Sequence, residues 1–342
     1  MLLLAVPAIA GAATAPADHT PVMTKEEVFD LLQFDAAERG RVLQGEIVSR
    51  DFKELSDKEL SVSLAMVVPV PMDRLLADLR SGKVLEHDRQ LLSYGIIHDE
   101  KTLDRDLAGV AFTSDEAGEI DKLLAARPGS EFNLSVEELG RFDALRRRRS
   151  GAGCSKEPSC ADEVISVYRG ILKDRIESYR ARGLAGIEPY SRGNGATADP
   201  RQELRTAMSD LKVLTERMPM TMRAFAEYPQ GDQSALEQWV VWLKQRVQDR
   251  PTFVLSHRCL HVLPPVAFLA ERQFYVEQSY NSLQIIAGLF PMESKTLVFY
   301  LNRTSTDQVA GFMKATRHGM GRKIMAKEIR AHFEQLREAL SK

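Results

Sequence analysis

The residues with the most chemistry in their spacing are His257, Cys259 and His261, set two apart within the apolar run FVLSHRCLHVL. On a strand, side chains two apart leave the same face, so the three would point together. Imidazole and thiolate are good zinc ligands, and a cysteine beside a histidine can be an activated nucleophile. A hairpin turning at Pro264-Pro265 tests both ideas. It pairs Ser256 with Gln273, Arg258 with Glu271 and Leu260 with Leu269 on one face. On the other it pairs Phe253 with Val276, Leu255 with Phe274, His257 with Arg272, Cys259 with Ala270 and His261 with Phe268. Arg272 beside His257 opposes a second cation, and neighbouring strand positions on one face stand about 6–7 Å apart. Neither a metal nor a cofactor is therefore expected. The leading functional reading is a polar anchor in an apolar surface. His257 and Arg272 would meet a carboxylate or phosphate, while Phe253, Leu255, His261, Phe268 and Phe274 line the space for an apolar tail. The competing reading pairs His257 and Arg272 with a buried carboxylate as ordinary core satisfaction.

These side chains need a scaffold. Thr24 to Glu27 reads as a capping box that starts a short helix. Glu46 to Phe52 and Leu60 to Val70 read as strands, and Met72 to Leu79 as an amphipathic helix. Between about 80 and 250 the period is helical. Ala161 to Arg182 carries Val164, Tyr168, Ile171, Ile176 and Tyr179 on one side, and Asp199-Pro200 opens another helix. Ser234-x-x-Glu237 predicts a further helix with Leu236, Trp239, Val240 and Leu243 inward. Strands return at Thr252 to Leu263, Val266 to Glu277, Tyr280 to Leu289 and Thr296 to Asn302. A last helix is expected from Asp307 to Leu340, with Val309, Phe312, Met313, Met320, Ile324, Ile329, Phe333 and Leu336 inward. Gly311, Gly319 and Gly321 cost that helix roughly 1 kcal/mol each relative to alanine, which predicts a close backbone approach, a kink or a later start.

Composition and address narrow the function. The 342 residues carry 46 Lys plus Arg against 48 Asp plus Glu, a net charge of -2, which offers no global attraction for nucleic acid. No apolar run approaches the roughly 18 residues of a membrane span. Leu2 to Ala12 instead reads as a signal-peptide core, with residues 1–12 removed at Ala10-Gly11-Ala12 and 13–23 left as a disordered lead. A periplasmic or secreted location follows as an expectation. There, Cys154 and Cys160 in GAGCSKEPSC could close a short disulfide, leaving Cys259 free. The run Arg146 to Arg149 reads as a solvated helix end. No phosphate-binding glycine loop, G-x-S-x-G elbow or H-E-x-x-H segment occurs, so nothing requires an enzyme.

ELSVSLAMVVPVPMDRLLADL (59–79), and the span from Thr252 through TLVFYLNRTSTDQVAGF to the end, resemble the START-like, or helix-grip, superfamily. The whole chain also looks like exported bacterial proteins. The resemblance implies an α+β fold in which a curved antiparallel sheet is gripped by a long C-terminal helix. Residues 24–80 and 251–342 would form that domain, and 81–250 a mostly helical insertion. It implies an exported binding protein for an apolar or amphipathic small molecule, such as a lipid, held between sheet and C-terminal helix. Two other functions stay open: an interaction protein with a filled core and a partner-docking helical lobe, and a metal-dependent or cysteine hydrolase around His257, Cys259 and His261.

Overall fold

Alternation and turn chemistry set the strands, and covering layers decide which of their residues are buried. The structure, a computed structural model, describes residues 23–149, 154, 157–311 and 314–341. The expected signal peptide, 1–12, lies outside the described residues, as does all of the lead except Met23. That residue is buried against the core.

The chain begins with α1 (Lys25–Leu31) and α2 (Ala36–Leu43), each started by a complete capping box, Thr24 with Glu27 and Asp35 with Glu38. Strands β1 (Val48–Asp51) and β2 (Glu59–Val68) follow. Every residue of β2 is buried, which identifies a strand covered on both faces. Helices α3 (Met72–Ser81) and α4 (Lys83–Glu86) lead to β3 (Leu91–Ile97). The helical segment then holds α5 (Leu103–Asp106), α6 (Ala117–Ala125), α7 (Val136–Gly140), α8 (Asp143–Arg149) and the long α9 (Pro158–Arg182). A small ribbon of β4 (Tyr190–Gly193) and β5 (Ala196–Ala198) precedes α10 (Pro200–Ser209), α11 (Lys212–Arg217) and α12 (Pro219–Glu227). Five long elements close the chain: β6 (Glu237–Val247), β7 (Arg250–Leu263), β8 (Val266–Val276), β9 (Ser282–Met292) and β10 (Lys295–Ser305). The last helix is α13 (Lys314–Leu340).

The fold is α+β, with one large curved antiparallel sheet of eight strands in the order β1-β2-β10-β9-β8-β7-β6-β3. Leu64, Met66, Val68, Leu260, Leu289 and Val298 fill one face, against Phe333, Leu336 and Leu340 of α13 and Leu75 and Leu76 of α3. The opposite face is covered by α1, α2, α11 and α12 at one end and by the core around α9 at the other.

Three expectations are corrected. Ser234 to Glu237 opens no helix; Glu237 begins β6, which pairs with β7 along its whole length. The run WVVWL is aromatic and β-branched, and its alternation sends Trp242 to the α9 side and Val241 and Leu243 to the other. The helical segment is shorter than 81–250, because β3 and β6 are both strands of the main sheet. At the C-terminus, Asp307–Val309 is a separate short turn before α13, and Met320 and Ile324 are exposed rather than inward. Gly321 shows why the helix tolerates glycine. A Cβ there would lie 2.9 Å from Cδ1 of Leu60, so α13 crosses β2 at close range.

Candidate functional site

The β7–β8 hairpin turns where expected and keeps the expected pairing from Leu263 opposite Val266 to Ser256 opposite Gln273. His257 therefore faces Arg272, and Cys259 faces Ala270. Beyond that point a bulge shifts the register, so Leu255 faces Tyr275 and Val254 faces Val276. The expected pairs of Leu255 with Phe274 and Phe253 with Val276 do not form. The extra residue lets both Phe274 and Tyr275 join the core around α9.

Strand parity then decides which layer the site meets. Leu260 packs on the α13 side, so His257, Cys259 and His261 face the other way. Space between the sheet and the C-terminal helix is therefore not where the anchor residues point. Tyr179 of α9 and Phe225 of α12 cover them instead.

Arg272 donates from Nη1 to the Tyr179 hydroxyl at 3.0 Å and from Nη2 to the Phe225 carbonyl at 3.2 Å. Its guanidinium carbon stands 4.3 Å from the centre of the Phe225 ring. Since Tyr179 Oη accepts from Arg272, its own proton can go to His257 Nδ1, 2.8 Å away. His257 Nε2 then carries the ring proton and donates to Gln238 Oε1 at 3.0 Å, a tautomer assigned from this network. The Cys259 thiol lies 3.3 Å from His257 Nε2 and 3.5 Å from Gln238 Oε1. Tyr179 also stacks on Phe274, ring centres 4.0 Å apart, and Tyr228 leans on His257 at 4.3 Å.

The electrostatics follow from this burial. Desolvation, then the charges of Arg272 and Arg180, hold His257 well below its ordinary value, so the imidazole is neutral. Burial pushes the Cys259 thiol up to about 12 despite the pull of Arg272. A thiol that keeps its proton is a poor nucleophile and a poor metal ligand. His261 does not join the cluster; it pairs with Thr221 of α12, and burial lowers its pKa. Among the described residues no group of three or more His, Cys, Asp or Glu could hold a metal.

Arg272 itself is fully buried, and no carboxylate is among its partners within the described residues. Its Nε has no hydrogen-bond partner. Arg175 and Arg303 are buried comparably, and each faces a carboxylate, Glu138 and Glu59 respectively. Beyond Phe225 lies an apolar dimple of about 20 Å³, walled by Met218, Met222, Phe225, Cys259 and Phe268 among others. That is room for about one water.

Of the expected lining, Phe274 and Phe268 belong to this neighbourhood. Phe253 and Leu255 do not; Phe253 packs against Phe112, Tyr168 and Trp242 in the core around α9. Sequence reasoning missed Phe225, Tyr228 and Gln238. Tyr179 was visible as part of a buried stripe, but its hydroxyl gave no sign of its partner. Gln238 was hidden by the helix expected there. Elsewhere Cys154 and Cys160 are joined as a disulfide, Cα atoms 5.2 Å apart. No described helix is long and apolar enough to cross a membrane. No family model, curated protein or solved structure matches the chain.

Proposed function

We propose that this protein binds, without transforming it, an anionic amphipathic small molecule such as a fatty acid or acidic lipid. The anion would be held by Arg272 on β8 and the tail would enter between α12 and the sheet. The observation that carries this is the lone cation. A buried charge is costly unless paired, and Arg272 alone among the fully buried arginines lacks a carboxylate among the described residues. A ligand carboxylate would supply it. Phe225 separates Arg272 from the dimple, so a turn of that ring, with a shift of α12, joins the two. Met218 and Met222 make that wall adaptable.

The element order remains similar to the START-like, or helix-grip, pattern. The proposed ligand space here is on the opposite face from the C-terminal helix. An exported, oxidising location completes the proposal, supported by the apolar run at 2–12 and the Cys154–Cys160 bond.

Mass spectrometry of an organic extract tests it. Protein secreted into the periplasm of a bacterial host should carry a stoichiometric acidic amphiphile, lost from Arg272→Met. An empty extract from the wild type counts against the binder. It favours a second reading, an interaction protein with a filled core, to which the small size of the dimple already lends support.

A further inference from the structure

A second cavity lies at the other end of β7, where the strand ends meet the helical segment. It is open on one side, holds about 220 Å³ and is lined by polar residues from five places. Ser130 and Glu131 come from the loop after α6, Arg192 from β4, Arg250 from the start of β7, Gln278 from the β8–β9 connection, and Asp307 and Gln308 from the turn after β10. The volume is below the roughly 300 Å³ at which drug-sized pockets begin, so its ligand is small.

Two polar atoms on lining residues are buried and have no partner: Ser130 Oγ and Gln278 Oε1. The glutamine is only 1% exposed. Its nitrogen is fixed by donation to the Pro251 carbonyl at 3.1 Å and to Thr252 Oγ1 at 3.3 Å. A carbonyl only accepts, so the orphan atom is the amide oxygen. A buried acceptor left unpaired is costly, and most such atoms have a partner.

The charges around it are already closed. Arg250 pairs with Glu119 and Glu131, and Arg192 and Lys58 share Asp307. Lys122 also pairs with Glu119, so four cations meet three carboxylates; each charge has an opposite partner, and a charged ligand would have to break a pair to enter. What is left is neutral hydrogen-bonding capacity: the outer lone pairs of the carboxylates and, just beneath the lining, the two orphan atoms, which a turn of the Ser130 or Gln278 side chain brings to the void. Hydroxyl groups, which donate and accept at once, match that set.

We propose that this cavity binds a neutral polyhydroxylated small molecule of monosaccharide size, independently of the Arg272 site. Saturation-transfer NMR on the full chain tests this with D-glucose, D-ribose and myo-inositol as neutral probes. Glycine and glycerol 3-phosphate serve as charged ones. At least one neutral probe should receive saturation, the charged probes none, and Ser130→Trp, which fills the cavity, should weaken binding at least tenfold with its circular dichroism unchanged. If that variant loses its fold, Gln308→Trp on another wall takes its place. No transfer to any neutral probe, transfer that survives the filling variant, or transfer to either charged probe would each overturn the proposal.

Discussion

Arg272 on β8 donates a 3.0 Å hydrogen bond to the hydroxyl of Tyr179 on α9, which stands 2.8 Å from His257 Nδ1. One phenol thus bridges a buried cation and a buried imidazole. Tyr179→Phe should keep the stack on Phe274 and remove only the polar link. It leaves a buried donor and a buried acceptor unpaired, so stability should fall by about 1–3 kcal/mol, read as a lower urea midpoint at unchanged slope. An unchanged midpoint would mean that water replaces the hydroxyl.

Two buried groups give stability opposite responses to pH. His257 is neutral in the folded protein, with its pKa lowered from 6.5 by burial, Arg272 and Arg180. Below that value the unfolded chain binds a proton that the native state does not. Stability from this group is therefore present above about pH 6.5 and declines as pH falls. Glu277 behaves the other way. Burial raises it from 4.5 to about 8, with Glu119 adding to the shift and the Phe253 amide, Arg250 and Tyr168 opposing it. Its contribution is full below pH 4.5 and is lost as pH rises through about 8.

Between pH 6.5 and 8 only the Glu277 slope operates, at up to about 1.4 kcal/mol per pH unit. Urea unfolding across that range should show stability falling as pH rises, and Glu277→Gln should flatten the trend. A wild-type profile that rises over the same interval would refute the assignment.

The two glycines inside α13 should respond in opposite directions. Nothing lies within 4 Å of a Cβ built on Gly319, so Gly319→Ala should gain about 0.5–1 kcal/mol from helix propensity. A Cβ on Gly321 would stand 2.9 Å from Leu60 and 3.4 Å from Val309, so Gly321→Val should lose about 1–3 kcal/mol through overpacking. Thermal melts of the two variants, read against the wild type, check both signs.

Much of this fold was legible in the chain. The β7–β8 hairpin announced itself through Pro264-Pro265 and alternating apolar residues, and with it the pairing of His257 with Arg272. Local signals misled where long-range pairing overrode them. The Ser234–Glu237 capping box lies at the start of a strand that β7 and β3 hold from both sides. The bulge at Leu255 could not be read, because nothing local distinguishes Phe274 from its neighbours. Alternation placed His257, Cys259 and His261 on one face, but only the assembled layers decide what covers it. Tyr179, Phe225 and Gln238 reach Arg272 and His257 across 93, 47 and 19 residues of chain. No spacing rule spans such distances.

The most direct test of the Arg272 assignment is titration calorimetry with dodecanoate, dodecanol and dodecylamine, three probes that share a tail and differ in charge. Dodecanoate should bind one to one, roughly 10–100-fold more tightly than the alcohol, as expected for hydrogen bonds to a charged group. Dodecylamine should not bind, and Arg272→Met should bring dodecanoate down to the level of the alcohol. Equal binding of acid and alcohol, or no heat from any of the three, would contradict Arg272 as the anchor.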